Sequence, residues 1–71
     1  MSDLRDRYLE VLLERIHEDQ YPSSQLMDRV EEAITTREQL ETYVAILIEK
    51  ADETWYPSQQ MLDRINRLAP A

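Results

Sequence analysis

The chain has 71 residues, a formal net charge of −7, and neither Cys nor Gly. That length makes one small domain, marginally stable by burial alone, and without Cys there is no disulfide, thiolate zinc site or cysteine nucleophile. Without Gly there is no phosphate-cradling loop, and tight β-hairpin turns lack the residue they need; the acidic field opposes direct contact with nucleic acid or an anionic membrane.

The spacing predicts a first helix over residues 2–20. Ser2 is a good N-cap, and Asp3 complements the positive end of the helix dipole. Leu4, Tyr8, Leu9, Val11, Leu12, Leu13 and Ile16 fill an arc of roughly 200° on a helical wheel. Asp6, Arg7, Glu10, Glu14, His17 and Glu18 take the remainder. Pro22 stops this helix, because the residue before a proline is pushed out of the α region. A second helix over residues 23–35 opens either on Ser23 as cap or with Pro22 at its first position. Leu26, Met27, Val30, Ala33 and Ile34 make a stripe about 120° wide on it.

Thr36-Arg37-Glu38-Gln39 reads as a capping box, in which Thr36 caps and Gln39 reaches back. It opens a third helix over residues 36–55. Its core face is Leu40, Tyr43, Val44, Ile46, Leu47, Ile48 and Ala51, continued by Trp55. Pro57 ends it as Pro22 ends the first. The fourth helix, residues 58–68, carries Met61, Leu62, Ile65 and Leu68, and Pro70 leaves a short tail.

The segment Tyr21-Pro22-Ser23-Ser24-Gln25-Leu26-Met27-Asp28-Arg29-Val30 recurs as Tyr56-Pro57-Ser58-Gln59-Gln60-Met61-Leu62-Asp63-Arg64-Ile65, at an offset of 35. The likeness runs back through Tyr8, Leu12, Glu14 and Glu18, which recur as Tyr43, Leu47, Glu49 and Glu53. This reads as an internal duplication, with one unit at about residues 2–35 and the next at 36–71. The repeat length is near that of tetratricopeptide units, but their Trp, Leu-Gly and Ala positions are missing, and two units are too few for a self-supporting solenoid.

The expected fold is therefore all-α: two tandem helical hairpins packed as a small four-helix bundle within a single domain, residues 1–71. The expected core is Tyr8, Leu9, Leu12, Leu13, Ile16, Leu26, Met27, Val30, Tyr43, Val44, Leu47, Ile48, Trp55, Leu62 and Ile65.

Several polar and aromatic groups invite a functional reading. Glu14, Glu18 and Arg29 recur as Glu49, Glu53 and Arg64. With the hairpin turning near Pro22, Arg29 is expected level with Arg15 and within reach of Glu14 and Glu18. An exposed cross-helix ion pair of that kind contributes about 0–1 kcal/mol. Tyr21-Pro22-Ser23 reads as a helix stop, a cap and a tyrosine closing the core. Trp55 and Tyr56 stand where the first copy has Gln20 and Tyr21, which makes the second turn the better candidate contact. Glu14-Arg15-Ile16-His17 matches the Glu-x-x-His spacing of carboxylate metal bundles, and the repeat offers Glu49 and Asp52. The wheel places Glu14 and His17 on the polar side, whereas bundle ligands project inward. His17 is the only His, and no buried acid–base pair is visible around it.

The leading expectation is a non-catalytic interaction module without a cofactor. Both long helices carry an apolar arc wider than one short helix covers, so the surplus is expected to meet a partner protein or a second copy, as a homodimer. Leu4, Val11, Leu40 and Ile46 lie at that edge, with Trp55 and Tyr56 as further contacts. One alternative is an acidic inhibitor or nucleic-acid mimic occupying a basic groove. Another is a metal-binding carboxylate bundle. The charged N-terminus, Met1-Ser2-Asp3-Leu4-Arg5-Asp6, lacks the apolar core of a signal peptide, and no apolar run approaches a span of roughly 18 residues. The expectation is a cytoplasmic protein without a membrane segment.

Overall fold

The computed structural model describes residues 3–53 and 58–69. They form four helices: α1 (Asp3–Glu18), α2 (Ser24–Ala33), α3 (Arg37–Glu53) and α4 (Gln59–Leu68). No strand occurs among the described residues, and the fold is all-α as expected. The chain divides into two units, Met1–Thr35 and Thr36–Ala71. α1 packs on α2 in the first, and α3 packs on α4 in the second.

The helix ends follow from local chemistry. Ser23 is the cap of α2, which settles the choice left open between Ser23 and Pro22. Its backbone is extended (φ −72°, ψ 155°), and its hydroxyl accepts from the Leu26 amide at 3.1 Å. Ser58 does the same for α4 at φ −68°, ψ 146°, accepting from the Met61 amide at 3.0 Å. Each such cap satisfies an amide that the helix itself cannot, worth about 1 kcal/mol. α2 stops where Ile34 turns extended, with its amide still bonded to the Val30 carbonyl at 3.1 Å. Two residues later the capping box closes reciprocally. The Thr36 amide donates to Gln39 Oε1 at 3.2 Å, and the Gln39 amide donates to Thr36 Oγ1 at 3.1 Å.

α1 ends at Glu18, shorter than expected, because residues 19–23 are needed to reverse the chain ahead of the Ser23 cap. Pro22 is buried in that turn, while Tyr21 is exposed and does not close the core. The expected cap at Ser2 and the expected core residue Trp55 lie outside the described residues.

In the first unit the buried side chains are Leu9, Leu12 and Ile16 of α1 and Met27, Val30 and Ala33 of α2. In the second they are Tyr43, Val44 and Leu47 of α3 and Met61 and Arg64 of α4. Burying a Leu, Ile, Val or Met side chain stabilises by about 1.5–3 kcal/mol, so these few positions carry most of each unit's stability.

Three residues expected in the core are instead exposed: Tyr8, Ile48 and Leu62. Leu13, Leu26 and Ile65 are only half-buried. On the wheel, Leu9, Leu12 and Ile16 occupy roughly 60°, and Tyr8 lies roughly 70° from their centre. The apolar arc is wider than the buried one. In α4 the buried face runs through Met61 and Arg64, one step of the wheel away from Leu62. The corresponding face of α2 runs through Met27 and Val30, the positions of Leu62 and Ile65 in the repeat. Identical spacing in the two copies thus buries different residues. Among the described residues none has a positive φ, which is why a chain without Gly meets no backbone strain here.

Candidate interaction surface

Leu4, Tyr8 and Val11 are 84%, 43% and 54% exposed. They stand at i, i+4 and i+7 of α1, so they form one stripe along its outer side. That stripe lies roughly 70–130° around the wheel from the centre of the face buried in the hairpin. A run of adjacent exposed apolar side chains differs from a scattered one, because only the run offers a continuous surface to another molecule.

The residues picked from sequence as the apolar edge divide accordingly. Leu4 and Val11 are exposed on α1. Leu40 and Ile46 are half-buried on α3, so the surplus surface is much stronger on the first long helix. Trp55 and Tyr56 lie outside the described residues. Tyr8 belongs to the stripe and was placed in the core from its apolar ring and spacing alone.

Beside the stripe is a depression of about 150 Å³ lined by Arg5, Tyr8, Arg29, Glu32 and Ala33. The second unit differs in sequence at two of these positions. The positions 35 residues on from Arg5 and Ala33 are Leu40 and Leu68, both half-buried. In the aligned sequence two leucines stand where the first unit has a guanidinium and a methyl group. The corresponding tyrosine, Tyr43, is 0% exposed, and the corresponding arginine, Arg64, is 9% exposed. The first unit therefore presents outward what the second takes in.

This geometry revises the ion-pair expectation. Arg29 lines the depression with Arg5 and Tyr8, in the N-terminal half of α1, rather than meeting Glu14 and Glu18. Arg64 is not on an exposed flank. An ion pair runs along α3 instead, from Arg37 Nε to Glu41 Oε2 at 3.3 Å, with both side chains well exposed. A solvated i,i+4 pair adds about 0.3–0.5 kcal/mol. The difference between the two arginines is testable. Arg64→Ala, which removes a buried stem, is expected to lower stability by about 1–3 kcal/mol. Arg29→Ala is expected to change it by no more than about 0.5 kcal/mol. Urea unfolding followed by circular dichroism measures both, and equal effects would contradict the burial difference.

Glu14 and His17 are exposed on α1, as are Glu49 and Asp52 on α3. Among the described residues no group of three or more His, Asp or Glu side chains is placed to hold a metal ion. No helix among them is long and apolar enough to cross a membrane. Comparison of the chain with protein-family models, curated proteins and solved structures finds no match.

Proposed function

We propose that the chain is a non-catalytic interaction module that docks another polypeptide on the outer face of α1. The observation that supports this is the exposed stripe of Leu4, Tyr8 and Val11 on a helix whose other face is already buried. Arg5, Arg29 and Glu32 beside it make a rim of two guanidiniums and one carboxylate on a protein of net charge −7. A docking face with that rim suits a partner carrying carboxylates next to apolar side chains.

The charge of −7 supports a second reading, an acidic inhibitor or nucleic-acid mimic for a basic groove. Salt separates the two. Association through the α1 stripe is expected to change less than about threefold between roughly 0.05 and 0.5 M NaCl, because burial of apolar area is not screened. Charge mimicry would weaken steeply over the same range. The measurement is the association constant of the untagged protein, with itself or with a captured partner, at several salt concentrations. A steep salt dependence would overturn the stripe as the main contact.

A further inference from the structure

We propose that the depression beside the stripe binds a small zwitterion with two carboxylates and one ammonium, the chemistry of a free acidic α-amino acid. It has a volume of about 150 Å³ and is lined by Arg5, Tyr8, Arg29, Glu32 and Ala33. Both helices of the first hairpin contribute: Arg5 and Tyr8 from α1, the other three from α2. Ala33 is buried, and the four polar side chains are exposed. Neither Leu4 nor Val11 lines the depression, so a ligand there is a function beyond docking at the stripe.

The charge at this place runs against that of the chain. The protein carries −7, yet two guanidiniums meet one carboxylate here. Glu32 is also the only acid at the positions three and four residues from Arg5 or Arg29, which are the neighbours of each on its own helix. Among the described residues neither arginine is engaged in an ion pair, nor is Glu32. A guanidinium presents a planar fork of donors that fits a carboxylate, and two forks serve two carboxylates. The Tyr8 hydroxyl is a further donor beside them. Glu32 repels a plain dianion and attracts an ammonium on the same ligand. Two carboxylates and one ammonium are thus the complement of two guanidiniums and one carboxylate. The volume lies below the roughly 300–1,000 Å³ of sites for drug-sized molecules, which fits an occupant of amino-acid size. Because the rim is open to water its charges are screened, and binding is expected in the millimolar range.

The test compares L-aspartate with succinate, which has the same skeleton and carboxylates but no ammonium. Each is titrated into the ¹⁵N-labelled full chain, with sodium chloride at matched ionic strength as reference, and the Nε–H resonances of Arg5 and Arg29 are followed. Aspartate is expected to give saturable shifts at both arginines and to bind at least about threefold more tightly than succinate. Arg5→Gln and Arg29→Gln should each weaken aspartate by at least about threefold, with helicity unchanged because both side chains are exposed. Glu32→Gln should remove the preference for aspartate over succinate. Glu49→Gln makes the same change of net charge at an exposed position on α3 and should leave that preference intact. Shifts that do not saturate, or that sodium chloride reproduces, overturn the site. A preference that survives Glu32→Gln, or that Glu49→Gln removes equally, overturns the zwitterion as its ligand.

Discussion

Replacing Leu47 by Ala lowers the stability of the chain by about 2–5 kcal/mol. Leu47 is fully buried on α3, between Tyr43 and Val44 on the same face. Truncation removes three carbons from water-free surroundings and leaves a void that neighbouring side chains refill only partly. A chain of this length has a total stability of about 4–10 kcal/mol, so the loss takes about a fifth of it or more. Ile48→Ala is the matched control. It removes as much apolar surface from the adjacent residue, but Ile48 is exposed, and the expected change is no more than about 0.5 kcal/mol. Urea unfolding by far-UV circular dichroism reads both. If Ile48→Ala were the more damaging, α3 would be rotated by one residue from the phase described.

The second large effect falls on association instead of stability. Leu4→Glu combined with Val11→Glu is expected to weaken association through α1 by about 100-fold or more while leaving the helical signal unchanged. Both side chains are exposed, so glutamate there costs the folded chain little. At an interface the same glutamates must lose their water without a partner, and each factor of ten in affinity corresponds to about 1.4 kcal/mol. Ile46 is left alone because it is half-buried, and a charge there would mix unfolding with loss of contact.

Much of the fold was legible in the sequence because its signals are local. Ser23, Ser58 and the Thr36–Gln39 box act through hydrogen bonds three residues long, and Pro22 acts on its immediate neighbour. Such rules require no knowledge of the tertiary structure. Burial does, and there the repeat misled. Tyr8 and Tyr43 are the same residue in corresponding positions, yet one is exposed and the other is not. The two copies differ in sequence at nearby repeat positions, Arg5 and Ala33 in one unit and Leu40 and Leu68 in the other.

Arg64 was the residue most hidden from sequence reasoning. A charged side chain among the polar positions of α4 is expected outside, and only the phase set by Met61 brings it in. The apolar arcs of α1 and α3 were read correctly as wider than a hairpin buries. The wheel gave no sign that the surplus would lie mostly on α1, because both helices carry nearly the same apolar spacing.

The most direct measurement is the association of the untagged chain, with itself by sedimentation equilibrium over a wide concentration range and with a captured partner, with the Leu4→Glu/Val11→Glu variant beside it. The account predicts a wild-type chain that associates and a variant that does not over the same range, with its helicity intact. A wild-type chain that associates with neither, or a variant that associates as wild type does, would contradict it.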